Sequence, residues 1–425
     1  MKKNKLFEKS LSLLIAFVMV FGVLLFIEMP QVAAATTEPA ANEEELKGAI
    51  DKFNHVDNSD DMTINITTSF DITSATPALP AINNSNDKTL TIKSDSATPH
   101  TLTFTSLYIS GQQGNPYFRI NNGTLVLENI TVVGYIPTPT DAPIVTVNSG
   151  TLIMNDGATL TGNNSNVTGA GVLINNGGSF IMKKGSTISQ NKVGGSSGGG
   201  GVYITGGTFI MEGGTISGNT STGGGGGVNI VGGGTFTMTD GTISGNKAGA
   251  GGDFSGGGVS VMGSSTFTMT GGIIKDNSSL QDGGGVYIAN SDITIGGDAE
   301  ISGNTAERDG GGIIKTAAGD ITIIGNARIS GNEAKGRGGG VLIGDTDDII
   351  IGGGAVISGN SLTNGATDNL TLLGLNTFIT LGTNGANAPN DKMSIGVSKI
   401  LDKDEDPDAR ENVIVKSGAS ESHAK

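Results

Sequence analysis

The chain has 425 residues, 71 of them glycine, with no cysteine, no tryptophan and a net charge of −15. Glycine without a three-residue period excludes collagen. The acidic balance argues against nucleic acid or an anionic lipid surface as the main partner, and the missing thiols exclude disulfides, thiolate metal sites and thiol redox chemistry.

The N-terminus reads as an export signal. Lys2, Lys3, Lys5 and Lys9 form a basic region, Leu11–Ile27 is a nearly uninterrupted apolar run, and Ala33-Ala34-Ala35 supplies a small-residue cleavage pattern. This predicts a signal segment over 1–35, a mature start near Thr36 and no membrane span after it. The other reading of the same run is an uncleaved anchor, for which its length is at the short end. In both cases the product works outside the cytoplasm, secreted or at the surface of a bacterial cell.

Residues 36–42 read as a short linker. Glu43–Phe53 follows as a helix: Asn42 can cap it, three glutamates occupy its first turn, and Leu46, Ile50 and Phe53 share one face. Strand-like pieces then appear in a less regular order over 62–150, as at Thr63–Ile66, Thr89–Ile92, Thr101–Phe104, Thr124–Leu127 and Ile144–Val147. Together, 36–150 is expected to be an N-terminal cap and irregular first coils. No proline falls between Pro143 and Pro389. Because a proline within a paired strand removes a ladder hydrogen bond, this interval reads as continuously paired backbone.

The regular region, 151–361, repeats the unit Gly199–Asn219. Its apolar pieces are Val202-Tyr203-Ile204, Phe209-Ile210-Met211 and Thr215-Ile216-Ser217. Val172, Val202, Val228, Val259, Val286, Ile313 and Val341 head successive copies, at steps of 30, 26, 31, 27, 27 and 28 residues. Asn163, Asn191, Asn219, Asn246, Asn277, Asn304, Asn332 and Asn360 close them. Strands at this period without helices describe an all-β, single-stranded solenoid with three short strands per coil and a helix covering its open N-terminal end. Inward ladders are expected at Val202/Val228/Val259, Phe209/Phe236/Phe267 and Ile216/Ile243/Ile274, with coils about 4.8 Å apart. Asn after Ser-Gly suits a left-handed bend, and stacked amides can bond along the axis. Lys315 falls where other copies carry Ile or Val, so Ile314 is expected to turn inward there. Length varies at one corner only, between the Asn and the next glycine run. Final irregular coils are expected over 362–400.

The pattern GGGV…TFxM…GGTISGN resembles the right-handed parallel β-helix repeats of bacterial surface and secreted proteins. These include the polymorphic-membrane-protein type and its relatives on the pectate-lyase-like fold. The resemblance spans about residues 120–400 and implies a right-handed parallel β-helix. That fold hosts adhesins, lyases and glycosidases. The third strand ends Ile-Ser-Gly-Asn where the polymorphic type has Phe-x-x-Asn, and no membrane barrel follows in the sequence. This favours a secreted or wall-associated protein.

Candidates for chemistry are few. His55, His100 and His423 all lie outside the regular coils, so the histidine motif of polygalacturonase-like enzymes is absent. Asp292, Asp320 and Asp348 occupy one place in three successive coils, where earlier copies carry Thr208, Thr235 and Thr266. Stacked carboxylates repel, and a calcium ion would relieve this; a solvated acidic stripe is the other reading. The resembling lyases place such a cluster beside an arginine or lysine base, and Glu300 and Arg328 form a neighbouring column. The variable corner is where recognition is expected, through Phe254, Leu280, Glu307, Arg308, Asp309, Lys335 and Arg337. Outward Tyr203 and Tyr287 could stack on sugar rings. Threonine alternation at Thr235–Thr239 and Thr266–Thr270 resembles an ice-binding face of two or three coils. Asp402–Asp408 opens an acidic solvated tail, 401–425. The reading favoured here is a secreted or cell-surface rod, adhesin-like, in contact with glycans. A polysaccharide lyase or glycosidase is the alternative, and an ice-binding protein the remote one.

Overall fold

The computed structural model describes residues 35–400, apart from 56–59, 74–78, 106–116, 136, 138, 196–197, 252–254, 345–348, 374–378 and 383–386. Most of the expected signal segment, Phe254, Asp348, His423 and the acidic tail lie outside the described residues.

The strands of one coil are too short to hold together alone, and each finds its partner about 27 residues along the chain. In the coil built from Gly199–Asn219, Val202–Thr205 pairs with Val228–Val231, and Thr208–Ser217 pairs with Thr235–Ser244. Among the described residues the paired strands all run parallel, and nearly every pairing keeps register, with irregularities at Glu212 and Asn83. The result is a stack of three parallel sheets of 23, 12 and 8 strands. The 23-stranded sheet carries two segments of each regular coil, as at Ser179–Met182 and Thr187–Ser189. In the coil at Thr208–Ser217 these join into one strand, with a register irregularity at Glu212.

All three expected strands are present. A fourth, two residues long, follows each closing asparagine, as at Lys192–Val193, Thr220–Ser221 and Lys247–Ala248. These form the 8-stranded sheet. Two residues leave no visible alternation, so the sequence read this stretch only as a corner.

Alternation sends every second side chain inward. The three expected ladders lie fully buried in a single core that runs the length of the stack. Phe180, Phe209, Phe236 and Phe267 stack in it with ring centroids 4.6, 4.6 and 4.9 Å apart and interplanar angles of 4°, 4° and 10°. The spacing is that of the coils themselves. The parallel stack is thus imposed by the β-ladder on the rings.

The asparagines form a second internal column. The Oδ1 of Asn277 accepts both the backbone N–H and the Nδ2 of Asn246, each at 2.9 Å. Its own Nδ2 donates to Ile243 O and to Asn304 Oδ1, both at 3.0 Å. The same pattern links Asn191 through Asn360, and Asn369 closes it, 2.9 Å from the Asn360 N–H. Asn277 and its neighbours are fully buried. The sequence missed Asn369 because it lies nine residues after Asn360, out of the repeat.

Four local expectations are corrected. The left-handed bend falls on the residue before each asparagine, at Gly218 (φ 63°), Gly245 (62°) and Gly303 (64°). Gln190 and Asp276 hold the same bend at φ 55°, so the asparagine is selected by its amide. Residues 36–42 are no linker: β1 (Thr36–Ala40) pairs with β2 (Met62–Ile66) from Thr36↔Met62 to Ala40↔Ile66. Pro39 is tolerated because β1 is an edge strand. Lys315 stays in its register position between Ile288 and Ile343, fully buried, with Nζ donating to Ala317 O at 2.9 Å. Ile314 therefore keeps its outward direction. Tyr287 is only 1% exposed and its hydroxyl is 2.8 Å from Thr316 Oγ1, so it cannot stack on a sugar. Tyr203 is half-buried, and burial raises its phenol pKa.

The helix α1 (Glu43–Asn54) covers the N-terminal opening as expected. Asn42 accepts the Glu45 N–H at 3.0 Å, and Glu45 accepts the Ala41 N–H at 2.8 Å, closing the first turn. Leu46, Ala49, Ile50 and Phe53 seal the core. The far end is sewn down where Asn84 Nδ2 donates to Phe53 O at 2.8 Å. In the first coils Tyr117 stacks on Phe104 at 4.0 Å, and burial pushes its phenol up to about 12. Its contribution to stability is complete below the ordinary phenol pKa and is lost as pH rises through about 12.

Candidate functional site

Two surfaces gather the side chains singled out in the sequence. The first is the variable corner between the 8- and 12-stranded sheets. Ser279, Ala306 and Ala334 are in register there. The residues that follow them, Leu280, Glu307 and Lys335, form one exposed column. Leu280 is 45% exposed, and Lys335 Nζ stands 3.9 Å from Glu307 Oε2. A pair this exposed adds about 0–1 kcal/mol.

Beneath that column runs an inter-coil clasp. Asp282 Oδ1 accepts Arg308 Nε at 2.7 Å and the Asp309 N–H at 3.2 Å, while its Oδ2 meets the Arg308 Nη2. Asp309 repeats the device on Arg337, with the backbone N–H at 2.7 Å and Nη2 at 2.9 Å. Asp368 closes it on the Gly338 N–H at 2.8 Å and the Thr371 hydroxyl at 2.6 Å. All three aspartates are buried. Of the residues expected to recognise a partner, Asp309 therefore serves the stack. Arg308 and Arg337 are tied at one side and about half exposed at the other.

The second surface is the outer face of the 23-stranded sheet. In-register pairing sets hydroxyls in columns along it. One column runs from Thr89 through Thr124, Thr151, Ser179, Thr208 and Thr235 to Thr266. A second runs from Thr131 through Thr159, Thr187 and Thr215 to Thr242. A third starts at Thr161 and Ser189, whose hydroxyls are 3.2 Å apart, and continues through Ser217 and Ser244. Most of these side chains are half-buried, so they are neither in the core nor fully in water. The sequence limited these columns to two or three coils. The irregular early strands, which the repeat could not align, extend them.

Asp292 takes the place of Thr266 in the first column. Asp320 follows it one coil on, and its backbone N–H donates to Asp292 Oδ1 at 2.9 Å. Both are exposed. One carboxylate oxygen of Asp292 therefore accepts a backbone N–H. Among the described residues no group of three or more histidine, aspartate or glutamate side chains could hold a metal ion. Glu300 lies opposite Arg328 as expected, and its Oε1 accepts the Ser302 hydroxyl at 2.7 Å. His100 pairs with Asp95 at 3.0 Å in the irregular coils, away from all of these.

Residues 149–328 match the family model described as the right-handed β-helix region. The chain is a right-handed parallel β-helix repeat protein. No curated protein and no solved structure matches it. The β-helix explains why sequence reasoning found columns and missed their extent. A side chain on this fold acquires its neighbours by register, about 27 residues away, and only the regular coils make that register readable.

Proposed function

We propose that this β-helix is an exported bacterial rod, secreted or displayed at the cell surface, that binds carbohydrate in an adhesin-like role. The carrying observation is the hydroxyl array on the 23-stranded sheet. Donors and acceptors recur there about every 4.8 Å along the rod, matching the hydroxyl-rich edges of a polysaccharide lying across the coils. Side-chain hydroxyls that each give and accept suit sugar hydroxyls, which do the same. The basic, apolar and small-residue sequence at Lys2–Ala35 supports export. The net charge of −15 supports a neutral or cation-bridged glycan over a polyanion.

Incubation of the secreted chain with pectin, alginate, glycosaminoglycans and insoluble glucans, with and without calcium, tests this reading. Retention without new reducing or unsaturated chain ends is the expected result. New chain ends that disappear in Asp320→Ala would establish the lyase or glycosidase reading instead, which the stacked Asp292–Asp320 pair favours. The same threonine columns favour ice as a second ligand. Thermal hysteresis with no glycan retention would assign the face to it.

A further inference from the structure

The outer face of the 23-stranded sheet carries one feature that its hydroxyl columns do not explain. Ile153, Ile181 and Ile210 stand in register in three successive coils. Each lies between two fully buried inward residues, as Phe180 and Met182 flank Ile181, so each points outward. All three are half-buried and keep part of their apolar surface in water. Strand formation does not require isoleucine there. The same column continues through Thr237, Thr268, Thr294 and Thr322, and threonine is also enriched in strands. Aligned apolar side chains on a water-facing sheet form a contiguous patch, which marks an interaction site where isolated ones would not. The borders of the stripe are polar. Two residues before it stand Thr151, Ser179 and Thr208, and two residues after it Asn155, Lys183 and Glu212. Four residue steps set these borders about 13 Å apart, which leaves room for one sugar ring between them. Over these three coils the face carries Asp156 and Glu212 against Lys183 and Lys184, two acids against two bases, and is neutral in a chain of net charge −15.

We propose that this stripe seats the ring faces of an unbranched, neutral β-1,4-linked glucan lying along the rod axis. The inference rests on the glycan-binding reading above and names the class of glycan. In such a chain every ring substituent is equatorial, so hydroxyls leave from the edges and both faces present C–H groups. The faces meet the isoleucines by dispersion and by release of water. The edges meet hydroxyls on one side and amide, ammonium or carboxylate groups on the other, all of which bond to sugar hydroxyls. The glucan is extended and advances per ring by nearly the coil spacing of about 4.8 Å, so successive rings meet successive coils. An α-linked glucan coils and loses this alignment. A polyuronate finds no net positive charge here, and further along the rod it meets Asp292 and Asp320 in the place of the hydroxyls.

Calorimetric titration of the full mature chain with cellobiose, cellotetraose and maltotetraose tests the proposal. Cellotetraose is expected to bind about tenfold more tightly than either of the others. Ile153→Thr, Ile181→Thr and Ile210→Thr together give these coils the side chain that later coils carry. The triple variant is expected to bind cellotetraose about tenfold more weakly at unchanged melting temperature. Thr294→Ala with Thr322→Ala, in the same column beyond the stripe, is expected to leave the affinity unchanged. Should the triple variant melt early, Ile181→Thr alone carries the comparison, with a loss of about threefold expected. Equal affinity for maltotetraose, or full affinity in a folded isoleucine variant, would overturn the proposal and leave glycan binding standing. Binding to no glycan at all would overturn both. Self-association of the native chain that the isoleucine variant loses would assign the stripe to a second copy and overturn the proposal as well.

Discussion

Replacing Asn277 by alanine is expected to lower the unfolding free energy by about 3–5 kcal/mol. The loss has nothing to do with side-chain volume. Asn277 Oδ1 is the acceptor for two donors of Asn246, and its Nδ2 serves Ile243 O and Asn304 Oδ1. Truncation leaves these groups in a fully buried column with no route to water. Each unsatisfied buried group costs about 1–3 kcal/mol, against about 1 kcal/mol for an ordinary hydrogen bond removed together with both its partners. Because coils contact only their neighbours, the damage should begin locally. Urea unfolding gives the total, and hydrogen exchange at the Asn246 amide gives the place. A loss under 1 kcal/mol with that amide still protected would show that the ladder follows the fold without supporting it. The exposed Asn326, whose Nδ2 donates to Asp298 Oδ1 at 2.9 Å, is the control, with an expected change within about 0.5 kcal/mol.

Phe236→Ala is expected to cost about 3–5 kcal/mol by a different route. Its ring lies between Phe209 at 4.6 Å and Phe267 at 4.9 Å. The backbone on both sides is held by continuous ladders, from Phe209↔Phe236 to Phe236↔Phe267. The coils cannot close by even a few tenths of an ångström without breaking those ladders, so the cavity persists and its full cost is felt. Phe236→Leu keeps most of the apolar surface, and about half the cost is expected to return with it. The adjacent outward Thr235→Ala should change stability by about 0.5 kcal/mol or less. A shift in the urea midpoint equal for Thr235→Ala and Phe236→Ala would contradict the inward–outward assignment of this strand.

The inward side of the β-helix was legible in the sequence because it repeats. Val202, Phe209, Ile216 and Asn219 recur together, and one register satisfies all of them. Outward positions carry no such constraint, and there the reading was weaker. Tyr287 looked available and is buried, because a covered patch of one face has no signature in a single coil. Asp309 and Arg337 looked like recognition residues and form a clasp, because an acid and a base in consecutive coils read the same whether they meet each other or a partner. Lys315 broke the apolar pattern and still points inward, its amine reaching the Ala317 carbonyl at the corner. The hydroxyl columns were underestimated for the opposite reason. Thr89, Thr124 and Thr151 belong to coils of irregular length, and only backbone pairing shows them in line with Thr208.

The central claim is that the flat hydroxyl face, and not the variable corner, meets the glycan. Retention of paired variants on whichever polysaccharide holds the native chain tests it most directly. Thr215→Ala with Thr242→Ala removes two adjacent, half-buried hydroxyls of one column, and Glu307→Ala with Lys335→Ala clears the exposed pair at the corner. The expected result is an affinity about tenfold weaker, ~1.4 kcal/mol, for the first pair at unchanged melting temperature, and no change for the second. Weakened retention in the corner pair with full retention in the face pair would contradict the account and move recognition to the Asn-to-Gly corner.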